Sequence, residues 1–245
     1  MRIDRSAIKQ NAKNQMRASK PHACLVALIY LLIINVLTLL SNKIQGFGMA
    51  DFTRYMEGLN SGVLPYMPQI SFLGSLITLA LSIVSLIIST GFVIYALQIS
   101  RLQAAGFGTI FEGFSIFLRA IWLSILTGIF VFLWSLLLII PGIIAAYRYR
   151  LALYIMIDNP QLSVLDCIRE SKRLMKGRKW ELFVLDLSFI GWYILCIVPF
   201  VSIWVTPYTE VTYANYYMAV AGLEIGSNNV EDQNSDDQTS PPWEI

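Results

Sequence analysis

The chain has 245 residues, of which 56% are apolar and only 14% are charged, and its formal net charge is +2. Soluble domains carry about 25% charged residues, so the composition excludes a chain built from ordinary soluble domains. The small net charge gives no reason to expect a nucleic-acid partner. Four uncharged stretches, at 21–42, 58–100, 120–147 and 187–209, each exceed the roughly 18 residues that mark a candidate membrane span.

Residues 1–20 predict a basic amphipathic helix at the amino terminus. Four basic residues recur at intervals of four, and three apolar residues line another face of the same helix: Arg5, Lys9, Lys13 and Arg17, against Ile8, Ala12 and Met16. This pattern is typical of a helix that lies in the membrane interface. The same charges are also explained by a positive-inside topology signal.

The membrane domain is predicted to cover 21–224, an all-α, polytopic transmembrane helix bundle of about six spans with two or three interfacial amphipathic helices. The spans are expected at about 21–41, 70–98, 119–140, 142–157, 182–198 and 201–223. Segment 42–69 holds a balanced set of acids and bases, which suits an external loop. The first apolar stretch is too long for a cleaved signal and is interpreted as an anchor.

A helix break is predicted at Pro141-Gly142, because proline lacks a backbone donor and glycine is flexible. One unbroken helix from 119 to 157 would be about 58 Å long, at 1.5 Å per residue, against a bilayer core of about 30 Å. We therefore expect a hairpin at this point, rather than a kink in a single helix.

A cytoplasmic amphipathic helix is predicted at 162–177. Ser163 and Asp166 have the spacing of a capping pair, and Gly177 is placed to end the helix. A basic stripe, expected to face lipid, follows helical spacing: Arg169, Lys172, Arg173 and Lys176. Such a helix can lie on an anionic inner leaflet, or it can be an ordinary solvated helix whose charges fix topology. The acidic tail at 225–245 is expected to be disordered.

The distribution of positive charge predicts the orientation. Fourteen of the 18 Lys and Arg residues fall in segments that the six-span arrangement places in the cytoplasm. Because cytoplasmic loops carry the excess of Lys and Arg, we expect a multi-pass plasma-membrane protein with both termini in the cytoplasm.

Four charged residues inside the predicted spans are the first candidates for a site, because charge inside a bilayer is costly: Arg148, Arg150, Asp186 and Glu210. Glu210 is expected near the depth of the arginines, so an ion pair with one of them is possible. Both arginines cannot meet the same partner, because residues i and i+2 point in different directions.

Asp186 is expected nearer the inner end, either paired with Arg178 or Lys179 or facing water. Aromatic support for the charged cluster is expected from Tyr147, Tyr149 and Tyr208. Structural pairing, a site for a substrate, proton or lipid headgroup, and catalysis are the open interpretations of this cluster.

No catalytic, metal or cofactor site is predicted. The three cysteines form no C-x-x-C pair, the only histidine is His22, and zinc-protease, nucleophile-elbow and Walker patterns are absent from the sequence. An aspartyl pair of Asp186 and Glu210 is disfavoured by their different predicted depths.

One block of sequence is distinctive: LLLIIPGIIAAYRYRLALYIMIDNP at 136–160, followed by LMKG at 174–177 and LSFIGW at 187–192. With the basic start RSAIKQNAK, it resembles the domain of unknown function 975 family of bacterial integral membrane proteins. The resemblance implies a multi-pass plasma-membrane protein of Gram-positive bacteria without an established activity, and it supplies no catalytic residues. The Pro-Gly and Arg-Tyr-Arg block is also distantly similar to the membrane domain of some glycerophosphodiester phosphodiesterases.

These observations predict a non-enzymatic multi-pass membrane protein. It is expected to bind anionic lipid of the inner leaflet or a membrane protein partner, which includes a second copy of the chain. The alternative is a small transporter or exporter component in which an intramembrane Arg/Glu site contacts an anionic substrate.

Overall fold

The computed structural model describes residues 4–45, 53, 56–59, 61, 71–223 and 225. Most of the predicted external loop and nearly all of the acidic tail therefore lie outside the described residues. The principal helices are α1 Arg5–Ala18, α2 Ala23–Gln45, α3 Phe72–Ser100, a 3₁₀ helix Phe107–Ile116, α4 Phe117–Leu137, α5 Ile139–Tyr149, α6 Ala152–Asp158, α7 Val164–Leu174, α8 Lys179–Leu187, α9 Ile190–Leu195 and α10 Pro199–Ala221. No β-strand occurs in this part of the chain, so the all-α prediction is confirmed.

Four helical stretches of the described chain are long and apolar enough to cross a membrane: Ala23–Gln45, Phe72–Ser100, Phe107–Leu137 and Ile139–Asp158. The predicted fifth span, 182–198, falls instead on the short helices α8 and α9. The predicted sixth span corresponds to α10, which is 23 residues long. This helix is long enough to cross a membrane, but it is not among the stretches that are also apolar enough. The structure thus supports an integral membrane protein, and spans five and six stay predictions.

The packed core lies at one end of the long helices. In α2 the buried residues are at its start, at 23–27, whereas in α3 they lie mainly in its second half, at 87–100. Large apolar side chains are exposed on the other halves of these helices and on the end of α4. Helices satisfy their own backbone hydrogen bonds, so these apolar surfaces suit contact with lipid.

Helix α1 packs against protein on its apolar face, which contains Ile8, Ala12 and Met16. Asn215 of α10 donates a hydrogen bond to Gln15 Oε1 at 2.9 Å. Gln15 Nε2 in turn donates to the carbonyl of Ser100 at 3.1 Å. The apolar face that was expected to lie on lipid is therefore used to join α1 to α10.

The basic row of α1 also faces protein in part. Lys9 Nζ donates to Ser188 Oγ at 2.6 Å and lies 4.3 Å from the centre of the Phe189 ring. Burial lowers the pKa of the Lys9 ammonium, and the neighbouring charges of Lys13 and Arg5 add to this effect. These contacts attach α1 to the junction of α8 and α9.

The chain turns back between α4 and α5 at Leu138, whose extended backbone (φ −164°, ψ 147°) separates the two helices. This break lies three residues before the expected Pro141-Gly142. Pro141 is instead the third residue of α5, where a backbone N–H would have no acceptor within the helix. A Cβ on Gly142 would lie 2.0 Å from Ser135 Oγ, so this glycine allows the two helices to approach closely beside the turn.

The 3₁₀ helix packs directly on α3. A Cβ on Gly91 would lie 1.7 Å from the carbonyl oxygen of Ile110, and a Cβ on Gly113 would lie 2.2 Å from that of Ile87. Two glycines thus permit contact of backbone with backbone.

Candidate functional site

Asp186, in α8, connects three helices through its two carboxylate oxygens. Tyr147 of α5 donates to Oδ2 at 2.8 Å, and Tyr213 of α10 donates to Oδ1 at 2.7 Å. Hydrogen bonds to an ionised acceptor are stronger than those between neutral groups. The described structure therefore places tyrosine hydroxyls, and not Arg178 or Lys179, at this carboxylate.

Arg150 lies between the two predicted acids, at the short break between α5 and α6. Its guanidinium is 4.9 Å from the centre of the Tyr213 ring and is within electrostatic range of Glu210 and Asp186. Neither carboxylate approaches it within 4.0 Å in the described structure. Glu210 Oε2 accepts instead a long hydrogen bond of 3.4 Å from Tyr154.

Arg148 points away from this group of residues. Its carbonyl accepts a hydrogen bond from Ser171 Oγ of α7 at 3.0 Å, and its side chain has no hydrogen bond or ion pair to any described residue. The divergence between Arg148 and Arg150 follows from the angle between positions i and i+2 of a helix.

Two of the predicted aromatic residues belong to other contacts. Tyr149 packs against Phe130, with ring centroids 5.9 Å apart. Tyr208 stacks on Trp204 at 5.0 Å and meets Phe189 edge to face at 5.5 Å. The structure thus brings together Tyr147, Arg150, Asp186 and Glu210, and it separates them from Arg148, Tyr149 and Tyr208.

A cavity of about 490 Å³ opens beside Asp186 and Arg150. Its polar wall contains these two residues and three tyrosines, and its apolar wall comes mainly from α8 and α9: Tyr147, Tyr193 and Tyr213, with Phe183, Leu187 and Ile190. Glu210 does not line this cavity. Asp186 and Glu210, the two acids of the disfavoured aspartyl pair, therefore face different surroundings.

A second charged group, which was not predicted from the sequence, surrounds Asp158. Arg101 Nη2 lies 2.6 Å from Asp158 Oδ2, and the Tyr217 hydroxyl donates to the same oxygen at 2.8 Å. The Asp158 side chain is only 10% exposed, and its other carboxylate oxygen is buried without a hydrogen-bond partner in the described structure. Arg101 is one of the 14 basic residues counted above for the orientation, and its ion pair was not predicted.

Arg119 holds the turn that follows Asp158. Its guanidinium donates to the carbonyl of Pro160 at 2.7 Å and to that of Leu162 at 2.5 Å. A single arginine at the end of a long uncharged stretch was the only available sign of this role. Two arginines therefore fix this turn. Arg101, after the end of α3, binds Asp158, and Arg119, in the first turn of α4, binds the two carbonyls that follow it.

The family described as Protein of unknown function (DUF975) matches residues 135–224. The resemblance to the domain of unknown function 975 family is therefore confirmed over this part of the chain. No curated protein and no solved structure matches the chain, so the distant similarity to the membrane domain of glycerophosphodiester phosphodiesterases is not shown. The DUF975 segment contains Arg150, Asp158, Asp186 and Glu210, whereas Arg101 and Arg119 come from outside it.

Helix α7 of the DUF975 segment begins as the sequence predicts. Ser163 Oγ accepts a hydrogen bond from the backbone N–H of Asp166 at 3.2 Å, and the Ser163 hydroxyl donates to the Asp166 carboxylate. These bonds, with the charge of Arg169, hold the pKa of Asp166 below its usual range. The helix ends at Leu174, and Gly177 follows with a left-handed φ of 80°.

The basic stripe of α7 divides into paired and unpaired charges. Arg169 lies 2.8 Å from Asp166, and Arg173 bonds to Glu170, whose pKa is lowered by this contact. The two lysines of the stripe, Lys172 and Lys176, are exposed and have no ion pair among the described residues. No group of three His, Cys, Asp or Glu side chains suited to a metal ion occurs in the described part of the chain.

Proposed function

We propose that this membrane protein binds anionic phospholipids of the inner leaflet through the surface of α7 and α8, without catalysing a reaction on them. Segment 163–181 carries six basic and three acidic residues. Two of these acids are already paired with arginines of α7. Each Lys or Arg near an anionic membrane surface contributes about 1 kcal/mol of attraction, so unpaired lysines are the groups best suited to bind lipid.

An exposed aromatic residue in the same segment supports the proposal. Trp180 is 72% exposed and stacks on Phe183 with ring centroids 5.1 Å apart. Tryptophan is enriched at the level of the lipid headgroups. The observation that carries the proposal is the combination of Trp180 with the unpaired Lys172 and Lys176.

The proposal includes an orientation in which both termini are cytoplasmic. The basic elements lie at the packed end of the molecule: α1 joins the start of the core, and Arg119 bonds to the turn just before α7. The exposed apolar halves of α2, α3 and α4 extend from the other end. By the positive-inside rule, the end of the molecule that carries the basic residues is expected in the cytoplasm. Helix α7 would then lie at the inner leaflet.

Native mass spectrometry of the purified full-length protein, loaded with phosphatidylglycerol or phosphatidylcholine, tests this proposal. We expect preferential retention of phosphatidylglycerol. We expect the variant Lys172→Ala/Lys176→Ala/Lys179→Ala to bind it about tenfold or more weakly, since three surface charges are removed. Lys43→Ala, at the far end of α2, is the matched control and should retain the lipid. Unchanged phosphatidylglycerol retention in the triple variant would contradict the proposal.

A small transporter with an Arg/Glu site for an anionic substrate is less well supported. Arg150 lines the cavity beside Asp186, but Glu210 does not. One substrate in this cavity would therefore contact the arginine without the glutamate. A membrane protein partner, or a second copy of the chain, remains a further candidate for the exposed apolar halves of α2, α3 and α4, and the charges of α7 favour lipid as the ligand of that helix.

A further inference from the structure

We infer that the cavity between α5, α8 and α10 binds the headgroup of a zwitterionic phospholipid that carries a primary amine. Its phosphate lies at Arg150 and its ammonium lies at Asp186. The cavity shares helix α8 with the surface proposed above, but its charged groups, Arg150 and Asp186, are not among the basic residues of that surface, so the inference does not depend on the function proposed above.

The cavity contains two opposite charges that do not neutralise each other. Arg150 and Asp186 both line it, yet no ion pair within 4.0 Å joins them in the described structure. Tyr147 and Tyr213 hold the carboxylate in place by donating one hydrogen bond to each of its oxygens. Each carboxylate oxygen has about two acceptor positions, so each keeps one for a ligand.

Arg150 supplies the complementary donors. A guanidinium has five N–H donors in a fixed planar arrangement that matches phosphate. Among the described residues the Arg150 guanidinium makes no hydrogen bond, and it lies against the face of the Tyr213 ring. Arg150 is exposed in the described structure, so these donors are accessible to a phosphate group that enters the cavity.

The charge balance favours a zwitterion over a plain anion. Arg150 lies within electrostatic range of two carboxylates, Glu210 and Asp186. Because Arg150 and Asp186 already balance in net charge within the cavity, a purely anionic headgroup would leave an excess of negative charge there. A headgroup with an ammonium balances that excess, and a primary amine has N–H donors for the open positions on Asp186.

The surface beside the cavity favours a lipid over a free zwitterion such as an amino acid. Two apolar wall residues, Leu187 and Ile190, are 52% and 48% exposed. The apolar surface continues along α9, which contains no buried residue, to the exposed Ile197. Acyl chains can lie on this surface while the headgroup enters the cavity, whose volume is within the range of about 300–1,000 Å³ found for small-molecule sites.

The test is lipid retention by the full-length protein, measured by native mass spectrometry with phosphatidylethanolamine, phosphatidylcholine and phosphatidylglycerol as probes. We expect phosphatidylethanolamine to be retained about tenfold more strongly than phosphatidylcholine, because methylation removes the N–H donors. Arg150→Gln and Asp186→Asn should each abolish this preference. Arg148→Gln is the matched control and should keep it.

Asp186 also connects three helices, so we expect Asp186→Asn to lower stability as well. The variant Ala146→Phe fills the cavity from α5 without changing any charge, and it should abolish the same preference while the protein remains folded by circular dichroism. Equal retention of the ethanolamine and choline lipids overturns the inference. If soluble phosphoethanolamine competes for the site as well as phosphatidylethanolamine does, the ligand is not a lipid. If only the variant Lys172→Ala/Lys176→Ala/Lys179→Ala loses the preference, the lipid binds at α7 and α8, and the cavity is not its site.

Discussion

The contact between Asp158, Arg101 and Tyr217 should contribute measurably to stability. Both partners bond to the same carboxylate oxygen, at 2.6 and 2.8 Å, and hydrogen bonds to a charged group contribute about 1.5–3 kcal/mol each. The Arg101 side chain is 30% exposed, so water can partly replace its lost partner. We therefore expect Asp158→Asn to lower the free energy of unfolding by about 2–3 kcal/mol, and Tyr217→Phe to lower it by about 1–2 kcal/mol.

The two substitutions remove a shared contact, so the double variant should lose about 1 kcal/mol less than the sum of the single variants. The cycle compares the unsubstituted protein, the two single variants and the double variant. Each full-length protein is unfolded reversibly in mixed micelles that contain increasing amounts of a denaturing detergent, and its helix content is followed by circular dichroism. Asp166→Asn removes an exposed carboxylate of α7 and serves as the control. A cost for Asp158→Asn no larger than that of the control, or full additivity in the cycle, would refute the reasoning.

Two further predictions test the packing and the orientation. Gly91→Ala should cost about 2–3 kcal/mol or more in the same unfolding assay, because its Cβ would lie 1.7 Å from the Ile110 carbonyl oxygen; Gly106→Ala, whose Cβ meets nothing within 4 Å, should cost far less, and equal costs would contradict the close packing. On a cysteine-free background, Lys43→Cys should react with an impermeant thiol reagent in intact cells, whereas Lys176→Cys should react only after permeabilisation. The reverse labelling pattern would invert the proposed orientation.

Local signals in the sequence were sufficient for several features of the fold. The uncharged stretches predicted the long apolar helices, and the Ser163-Asp166 spacing predicted the start of α7. The length of 119–157 required a turn, and the structure places one at Leu138. Each of these features depends on residues that are close in the chain, so hydrophobic periodicity and capping chemistry can reveal them.

The break between α8 and α9 could not be predicted in this way. The apolar run at 182–198 resembles one span, but its regular α-helix is interrupted at Ser188 and Phe189, which keep helical backbone angles. Phe189 is completely buried and packs against the ring of Tyr213, while Ser188 accepts a hydrogen bond from Lys9. These partners are distant in the chain, so the tertiary contacts that favour the break leave no local pattern.

The candidate site was only partly predictable for the same reason. The cost of intramembrane charge pointed to Arg150, Asp186 and Glu210, and the structure places them near one another. The position of a residue along a predicted span gives its depth in the membrane, but it does not give the rotation of the helix about its axis. The tyrosines that hold Asp186, and the contact of Arg101 with Asp158 across 57 positions, depend on those rotations.

The role of tyrosine explains why α10 is so polar for a helix at the centre of a membrane protein. Tyr213 and Tyr217 of this helix donate to Asp186 and Asp158, and Glu210 of the same helix accepts from Tyr154. The polar groups of α10 thus meet partners inside the protein, where unpaired groups would be costly. In this network Asp158 has Arg101 as an ion-pair partner, whereas Arg150 and Asp186 share a cavity without pairing. A ligand bearing both charges is what would complete that part of the network.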